Sequence, residues 1–359
     1  MAKILILGAG SMSAAFAFPC SDNNHQVSIV GTHLEDNFID IIKANQKIHP
    51  VLKSKIPINV KIYKFSSFHN LLKDADLIVL GISSKGINWA SEQLTGIRNN
   101  QQILILTKGL HVNKKKRYEV YPDTIKNFLL KKEIKNLKIS VAAGPCLASD
   151  LSNRVLTNVI FANKDISVVR NLSKILSTSY YKIKYSNDVK GVAACGGIKN
   201  IYAMIIGTSM GINAKNEKDN KNLNTAAALF NQSVKEMCYF IKKIGGQEST
   251  VMNLAGVGDL YVSCTGGRNS KMGKFIGMGM TYKNAKKNKM PKETVEGADL
   301  IFDIGNKIIK DFKVKELPLM ITFIKALLDN TKFKNCFPNI KLDSSKNNLS
   351  CILKQLEYI

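Results

Sequence analysis

Charged side chains stand among small residues at four places in this sequence. An unpaired buried charge is costly, so such a side chain either extends along its stem to solvent or is held by a partner. Taken singly, each segment fits a solvent-exposed side chain about as well as a functional site. The four segments are Thr107-Lys-Gly-Leu110, Gly196-Gly-Ile-Lys-Asn200, Gly256-Val-Gly-Asp-Leu260 and Gly266-Gly-Arg-Asn269.

Together, these residue types suit the reduction of a ketone by hydride. Hydride addition leaves negative charge on the ketone oxygen, where a lysine ammonium both stabilises the charge and delivers the proton. Lys199 is our candidate for this role. Lys108 would ease its deprotonation, and Asp259 would offset the accumulated positive charge and orient the ammonium. Arg268 offers a planar fork of donors that suits a phosphate group, and the chemistry requires no metal ion.

A glycine-rich turn near the N-terminus predicts a dinucleotide site. Gly8-Ala-Gly10-Ser-Met-Ser13 directly follows an apolar run and opens a helix of small residues. In the dinucleotide fingerprint, the first glycine makes the tight turn and the second lets the pyrophosphate approach the helix N-terminus. Ser13 stands where a third glycine usually packs the helix against the strand, so the match is imperfect.

The end of the second predicted strand leaves the choice of cofactor open. It reads Val30-Gly-Thr-His33, with no acid at the position that would hydrogen-bond the ribose 2'-hydroxyl. A 2'-phosphate would therefore meet no like charge there, and the sequence fits NADH as well as NADPH. His33 either contacts this end of the cofactor or is a solvated loop residue.

The order of predicted elements indicates an α/β fold. Residues 1–186 alternate between short β-branched runs and helical patterns, which predicts an NAD(P)-binding, Rossmann-like doubly wound parallel sheet. Over residues 187–359 apolar residues recur at helical spacing, which predicts an all-α substrate and catalytic domain. The predicted strands are 2–7, 26–30, 59–63, 77–80, 103–106, 139–142, 159–161 and 182–185; the predicted helices are 11–18, 36–47, 68–74, 89–94, 124–132, 165–176, 200–206, 226–244, 299–309 and 319–328.

The composition limits the classes of protein to which this chain can belong. A chain of 359 residues that is 45% hydrophobic can bury a sizeable core. Charged or polar residues interrupt its longest apolar runs, so we expect no membrane insertion. The N-terminus enters a strand at once, which indicates a cytoplasmic, non-secreted protein. The seven cysteines lack any Cys-x-x-Cys spacing, so we expect reduced thiols.

The net charge of +25 permits a different class, a basic nucleic-acid-binding module on the same fold. The basic clusters at 114–117 and 283–292 are short, and they are not interleaved with the aromatic residues that stacking on bases requires. We therefore expect solvated surfaces and no specific nucleic-acid partner.

The ordered set of motifs resembles the NAD(P)-dependent glycerol-3-phosphate dehydrogenases over residues 3 to about 310. This resemblance implies reversible hydride transfer between NAD(P)H and dihydroxyacetone phosphate, which gives sn-glycerol 3-phosphate for glycerophospholipid synthesis, and it implies a homodimer. The matching pieces are 8–17, 107–110, Gly144-Pro-Cys-Leu-Ala148 with Asp150, 199–202, 224–237, 256–269 and Val295-Glu-Gly297.

The resemblance also implies roles for individual residues. Lys199 is the proton donor and acceptor, with Lys108 and Asp259 as further catalytic residues. The substrate-binding residues are Lys108, Gly144, Cys146, Lys199, Asn200, Asp259, Gly267, Arg268 and Asn269. The cofactor-binding residues are Gly8, Gly10, Ser11, Met12, His33, Lys108, Ala148, Arg268 and Glu296, and no metal ligand is implied.

The chain departs from the family pattern at several positions, and other interpretations remain. Ketopantoate reductases and related β-hydroxyacid dehydrogenases share the glycine-rich start and a lysine acid, but they lack the Gly-x-Gly-Asp-Leu and Arg-Asn segments. A family member altered to sense the cofactor is a further alternative. The main hypothesis requires the Lys199 ammonium and the Arg268 guanidinium to lie in one cleft beside the nicotinamide. The departures are Ser13 for Gly, Ser83 for Pro, Cys146 for Ser or Thr, Ala193 for Glu, Gln232-Ser233 for Arg-Gly, and Gly267 for Ser.

Overall fold

A computed structural model describes residues 1–212, 214 and 222–333 of the chain. Its contacts divide the chain into two compact units. The first unit comprises Met1–Leu110 and Glu119–Ala194, and the second comprises His111–Tyr118 and the chain from Cys195 onward.

The first unit is built on one eight-stranded sheet with the strand order β10-β9-β8-β5-β4-β1-β2-β3, and β6 and β7 form a separate two-stranded hairpin. All eight predicted strands are present in this sheet, whereas the two short strands of the hairpin, β6 and β7, were not predicted. The strands of the described chain are β1 (Lys3–Leu7), β2 (Gln26–Val30), β3 (Lys61–Tyr63), β4 (Leu77–Leu80), β5 (Gln102–Ile105), β6 (Leu110–Val112), β7 (Tyr118–Val120), β8 (Lys138–Ala143), β9 (Thr157–Ala162) and β10 (Tyr181–Ser186).

The sheet is mostly parallel, with one exception that the sequence did not predict. Strand β9 pairs antiparallel with β8, although β10 again runs parallel to β9. Between β8 and β9 lies the short helix α6 (Ala148–Ser152). Five helical residues span about 7.5 Å, far less than the roughly 20 Å length of a six-residue strand. The chain therefore turns back beside β8 instead of crossing the sheet to start a parallel strand.

Helices cover both faces of this sheet because its central strands are apolar on both sides. In β1, Ile4 and Ile6 belong to one buried cluster and Leu5 and Leu7 to the other. The first cluster includes residues of α1, α2 and α7, and the second includes residues of α3, α4 and α5. These helices are α1 (Ser11–Asp22), α2 (Asp36–Ala44), α3 (Phe68–Asp74), α4 (Ile87–Gln93), α5 (Tyr121–Lys131) and α7 (Ile166–Leu176).

The described residues of the second unit form helices and the loops between them, apart from the hairpin, as the apolar spacing predicts. Residues 334–359, which the prediction also covers, lie outside the described residues. Four helices, α10 to α13, were not predicted. Helices α10 and α11 are only four and six residues long, and α12 and α13 contain many polar residues. A five-residue π-helical segment, Leu254–Gly258, leads into α11. The helices are α8 (Val189–Gly211), α9 (Leu223–Lys243), α10 (Glu248–Val251), α11 (Asp259–Cys264), α12 (Arg268–Gly277), α13 (Tyr282–Lys289), α14 (Glu296–Asp311) and α15 (Pro318–Leu328).

Helix α8 is the one helix of the described residues that is long and apolar enough to cross a membrane. Its most apolar window is 89% buried inside the protein. The core helix of a soluble protein has this same combination of length, composition and burial.

Five of the seven cysteines lie in the described part of the chain, and none of these five forms a disulfide. Cys336 and Cys351, for which reduced thiols were also expected, lie outside the described residues.

A buried carboxylate joins three helices of the second unit. Glu236 of α9 accepts hydrogen bonds from the backbone N–H groups of Leu319 and Met320 in the first turn of α15, at 2.9 and 3.0 Å. Tyr202 of α8 and Gln232 also donate to it, at 3.3 and 3.2 Å. The carboxylate thus replaces solvent at a buried helix N-terminus, where N–H groups lack helical partners.

Gln232, one of the departures from the family pattern, is therefore part of this network. Its amide nitrogen donates to Glu236, while its Oε1 is buried and finds no hydrogen-bond partner among the described residues. The network keeps the helices together at the cost of one unsatisfied acceptor.

The titration of the buried Glu236 carboxyl should make the free energy of unfolding depend on pH. Burial raises the pKa of Glu236 from 4.5 to about 7, although its four donors oppose this shift. Between these values the folded protein holds a proton that the unfolded chain has released, so stability falls as the pH rises from about 4.5 to 7. Glu236→Gln should remove this loss, which is on the order of 3 kcal/mol.

The measurement is the free energy of unfolding in urea at pH values from 4.5 to 8. Glu248→Gln is the matched control, because Glu248 is half exposed beside an exposed lysine, and it should retain the pH dependence of the unaltered chain. An unchanged slope in Glu236→Gln would contradict this account.

Candidate active site

The glycine turn predicted from the sequence follows β1 directly. Gly8 has a φ of +105°, and a Cβ there would lie 2.6 Å from the carbonyl oxygen of Gly81. Gly10 is the N-cap of α1, and no side chain caps this helix end. The N–H groups of its first turn, which begins at Ser11 and Met12, therefore offer donors to an anion. This geometry fits the diphosphate of a dinucleotide.

Ser13 occupies the third glycine position without separating α1 from the sheet. Its hydroxyl donates to the carbonyl oxygen of Gly81, just after β4, at 2.9 Å. A Cβ at Gly81 would lie only 2.0 Å from that hydroxyl oxygen. The missing glycine is thus compensated by Gly81, the residue directly after the neighbouring strand β4, which lies too far along the chain to be part of the glycine-rich motif.

Two residues that the sequence analysis did not single out hold the glycine turn. The Glu35 carboxylate accepts hydrogen bonds from the N–H groups of Ala9, at 3.2 Å, and Thr32, at 2.8 Å. The His49 ring nitrogen Nε2 lies 2.9 Å from the carbonyl oxygen of Ala9. Glu35 lies five residues beyond the end of β2, whereas the sequence analysis looked for an acid only at the strand end itself.

His33 lies in an aromatic cluster beside the end of β2. Its exposed ring is 4.6 Å from the ring of Trp89 and 6.3 Å from that of Phe65. The rings are inclined to one another and form an apolar patch at the carboxyl edge of the sheet, which suits an adenine ring.

Other predicted residues of the first unit lie at the carboxyl ends of β5 and β8. Lys108, after β5, donates from Nζ to the carbonyl oxygen of Gly144, after β8, at 3.1 Å. Gly144 has a φ of +118°. Cys146 follows in the same loop, and Ala148 begins α6. Parallel neighbouring strands bring these loops to the same edge.

The second unit contains a buried ion pair between two predicted catalytic residues. Lys199 of α8 donates from Nζ to Oδ1 of Asp259, the first residue of α11. The side chains are 11% and 3% exposed, respectively. Ser263, one turn beyond Asp259, accepts a second bond from Lys199 at 2.8 Å. The predicted partner and an unpredicted hydroxyl thus fix the ammonium in one orientation.

The positive charge of Lys199 acts on its surroundings. Burial raises the pKa of the Cys264 thiol to about 12, and the Lys199 ammonium opposes this shift. Cys264 therefore stays a neutral thiol beside the ion pair.

A hydrogen-bonded chain connects the neighbour of Lys199 to Arg268. Asn269 donates to Oδ1 of Asn200 at 3.1 Å and to Oε2 of Glu296 at 3.3 Å. Its own Oδ1 accepts from the N–H of Gly297 at 2.9 Å. Arg268 completes the chain through an ion pair with Glu296, in which both side chains are about half exposed. Gly267 is the N-cap residue directly before Arg268.

Close backbone approaches hold these helices in place. A Cβ at Gly273 of α12 would lie 2.0 Å from the carbonyl oxygen of Met204 in α8, and a Cβ at Gly297 of α14 would lie 2.6 Å from that of Asn200. Only glycine allows both contacts. Helices α12 and α14 therefore present Asn269 and Glu296 directly to the part of α8 that carries Lys199.

The predicted site residues thus form two groups, one within each unit. Within the second unit, the structure brings Lys199 and Asp259 into contact and links them, through the adjoining Asn200, to the Arg268 segment. Ser263 was missed because α11 was not predicted; on a known helix, its spacing of four residues from Asp259 would have indicated it. The first group comprises Gly8, Gly10, Ser11, Met12, His33, Lys108, Gly144, Cys146 and Ala148; the second comprises Lys199, Asn200, Asp259, Gly267, Arg268, Asn269 and Glu296.

Comparison with protein families matches both units. Residues 3–169 match the model of the NAD-dependent glycerol-3-phosphate dehydrogenase N-terminus, and residues 188–337 match that of its C-terminus. The chain belongs to the NAD-dependent glycerol-3-phosphate dehydrogenase family. This membership favours the main hypothesis over a ketopantoate reductase or a nucleic-acid-binding module.

Relatives of the glycerol-3-phosphate dehydrogenase family align over almost the whole chain. The NADP(+)-dependent glycerol-3-phosphate dehydrogenase of Archaeoglobus fulgidus is 26% identical, over 87% of this chain and 92% of its own length. A glycerol-3-phosphate dehydrogenase [NAD(P)+] of Clostridium botulinum is 28% identical, over 90% and 94%.

Solved structures of this family share the fold. Glycerol-3-phosphate dehydrogenase of Plasmodium falciparum superposes with a TM-score of 0.82 at 20% identity, covering 97% of each chain. The enzyme of Coxiella burnetii gives a TM-score of 0.79 at 23% identity, covering 94% of this chain and 98% of its own. The α/β fold with a helical C-terminal part is thereby confirmed.

The contact between Ser13 and Gly81 gives a prediction that tests the compensation described above. Gly81→Ala should lower the free energy of unfolding by about 1–3 kcal/mol, because the added carbon meets the Ser13 hydroxyl. Ser13→Gly should restore most of this stability in the double variant, since it removes the opposing side chain. Urea unfolding of the single and double variants measures the coupling.

Gly96→Ala is the matched control, because a Cβ there would meet only Leu72, at an ordinary 3.6 Å. Strictly additive effects of the two substitutions would show that Ser13 and Gly81 do not share this space.

Proposed function

We propose that this chain catalyses reversible hydride transfer between NAD(P)H and dihydroxyacetone phosphate, giving sn-glycerol 3-phosphate. The observation that carries the proposal is the buried pair of Lys199 and Asp259. The residue next to Lys199, Asn200, is connected by hydrogen-bonded side chains to Asn269, Glu296 and Arg268. This arrangement combines an oriented proton donor with a phosphate-binding fork inside one unit, and it occurs in a member of the glycerol-3-phosphate dehydrogenase family.

The first unit supplies residues that fit the nicotinamide cofactor. The N–H groups at the start of α1 would hold its diphosphate, and the aromatic surface around His33 would hold its adenine. The cofactor, when bound, supplies or accepts the hydride.

Lys199 is the proposed proton donor to the substrate oxygen. Its ammonium is held in one orientation by Asp259 and Ser263, and in the proposed complex it would face the carbonyl oxygen of the substrate. As negative charge develops on that oxygen, the ammonium stabilises it and transfers a proton. In the reverse direction the neutral amine accepts the proton from the alcohol.

Arg268 and Asn269 are the proposed phosphate ligands. Arg268 is about half exposed at the start of α12, with a planar set of N–H donors. Glu296 holds the guanidinium on one side, and Asn269 is held by Asn200 and Glu296. An N-terminal helix turn also favours a bound anion.

Lys108, Gly144 and Cys146 are the proposed contacts of the substrate in the first unit. Lys108 already donates to the Gly144 carbonyl oxygen, so its ammonium is directed rather than freely mobile. Cys146 and Gly267 stand where the family pattern has hydroxyl side chains, and we expect these changes to weaken substrate affinity without abolishing turnover.

The finer assignments are part of the proposal. We propose that residues 1–186 bind the cofactor and residues 187–359 bind substrate, that the reaction uses no metal ion, and that the enzyme is a cytoplasmic homodimer. It would supply sn-glycerol 3-phosphate for glycerophospholipid synthesis.

The direct test is oxidation of NADH or NADPH by purified protein in the presence of dihydroxyacetone phosphate, with ketopantoate as the comparison substrate. We expect turnover of the former only. Comparing the two reduced cofactors in the same assay also decides the cofactor preference. Absence of turnover with either cofactor across pH would remove the proposal.

Within this assay, Lys199→Met tests the proton donor. We expect kcat to fall by roughly 10²–10⁴-fold, while NADH binding measured by fluorescence is retained. Because Lys199→Met leaves Asp259 buried without its ammonium, Lys199→Met/Asp259→Asn serves as a charge-balanced variant that should be equally inactive. Lys271→Ala, on the surface of α12, is the matched control. Near-normal turnover in either Lys199 variant would overturn the assignment.

Arg268→Ala tests the phosphate site separately. We expect KM for dihydroxyacetone phosphate to rise roughly 100-fold with a smaller change in kcat, because a charge-assisted contact to the phosphate is lost. Arg268→Lys should recover only part of this affinity, since a lysine lacks the planar fork.

The discriminating measurement for Arg268 uses dihydroxyacetone, which has no phosphate. Its kcat/KM should hardly change in Arg268→Ala. An equal loss with both substrates would indicate that Arg268 acts elsewhere in the reaction.

A further inference from the structure

The peptide groups on both sides of Ala9 are held by side chains from outside the glycine turn. Glu35 accepts from the N–H of Ala9, at 3.3 and 3.2 Å to its two oxygens. Its Oε2 also accepts from the N–H of Thr32 at 2.8 Å. One carboxylate therefore ties the turn after β1 to the loop after β2.

His49 holds the opposite side of Ala9. Its Nδ1 accepts from the N–H groups of Val51 and Leu52, at 3.2 and 3.0 Å, so in the neutral ring the proton lies on Nε2. Nε2 therefore donates to the carbonyl oxygen of Ala9, at 2.9 Å. The ring is fully buried and contacts Phe38 edge to face, and burial lowers the pKa of His49, which keeps the ring neutral.

These contacts matter because the turn would otherwise be mobile. Gly8 and Gly10 flank Ala9, and glycine leaves the backbone many accessible conformations. Binding a diphosphate requires the N–H groups at the start of α1 to point in one direction, and any freedom of the turn must be lost on binding. Fixing both sides of Ala9 removes that freedom before the cofactor arrives.

We propose that Glu35 and His49 are positioning residues for the nicotinamide cofactor, which act by holding Ala9 and thereby the diphosphate-binding turn. Neither residue needs to touch the cofactor for this effect. The inference rests on the cofactor dependence of the proposed function, but not on the identity of the substrate.

The position of Glu35 also suggests a competing role, because acids near the end of the second strand of dinucleotide-binding folds contact the ribose 2'-hydroxyl and disfavour a 2'-phosphate. The two roles make different predictions. A positioning residue affects NADH and NADPH alike, since they share the diphosphate. A residue that reads the ribose affects their ratio.

The experiment measures the dissociation constants of NADH and NADPH by fluorescence titration, without substrate. Glu35→Gln keeps the size of the side chain, but its amide nitrogen would face one of two N–H donors. We expect at least a roughly tenfold weaker binding of both cofactors. Asp36→Asn is the matched control: it removes a charge from the next residue, which instead accepts from the N–H of Phe65, and it should leave both constants unchanged.

His49 provides the second pair of variants. His49→Phe keeps the ring packing but leaves the Ala9 carbonyl oxygen without its donor, and it should weaken both cofactors to a similar extent. His49→Gln can place an amide nitrogen near the position of Nε2, so it should recover part of the affinity. If His49→Phe lowers both thermal stability and cofactor affinity, and His49→Gln restores part of both, the result still supports a positioning role for His49.

Two results would overturn the inference. One is unchanged dissociation constants in folded Glu35→Gln and His49→Phe. The other is a change confined to NADPH in Glu35→Gln, which would assign Glu35 to the ribose. Because the proposed effect acts on cofactor binding through Ala9 and not on proton transfer, kcat at saturating cofactor should be retained. Failure of the proposed function would instead appear as absent turnover in a chain that binds both cofactors.

Discussion

The buried contact between Lys199 and Asp259 is the interaction on which the second unit depends. Removing two charges from water is expensive, and their attraction repays that cost only when the geometry is good and the remaining donors are satisfied. Ser263 supplies one further acceptor to the ammonium. Helices α8 and α11 must therefore keep a fixed distance, and any movement between them would expose or isolate a charge. The cost of burying the Lys199 ammonium is thus matched by a fixed position for it, which its proposed role as proton donor requires.

Glycine residues at the helix contacts fix the position of Arg268 and Asn269, the proposed phosphate ligands, relative to the Lys199 ammonium. Where α12 and α14 contact α8, the backbones are in direct contact at glycine residues. No side chain lies between them there, so a change of rotamer cannot alter the distance between the helices. The side-chain amide of Asn269 then joins these helices: its nitrogen donates to Asn200 in α8 and Glu296 in α14, and its oxygen accepts from the N–H of Gly297. In the first unit the equivalent precision comes from the sheet, whose parallel register brings separate loops to one edge.

The sequence predicted the elements that have strong periodicity. The apolar strands and the helices α9, α14 and α15 were found where expected, because their buried faces recur at regular spacing. The hairpin of β6 and β7 was missed because three-residue strands carry almost no pattern, and the polar α13 buries little more than Ala285. The role of Asp259 beside Lys199 was expected from the family resemblance and from its negative charge. The contacts of Glu35 and His49 with Ala9 were not expected, because they depend on how the chain folds back after β2, and the roles of all these residues remain predictions.

The shared space of Ser13 and Gly81 makes the two positions dependent on each other. A Cβ at residue 81 would lie 2.0 Å from the Ser13 hydroxyl oxygen, so a chain with side chains at both positions must shift one of them. The same substitution at residue 81 therefore has a different effect beside serine than beside glycine at residue 13. Positions 68 residues apart in the sequence are thus constrained as a pair.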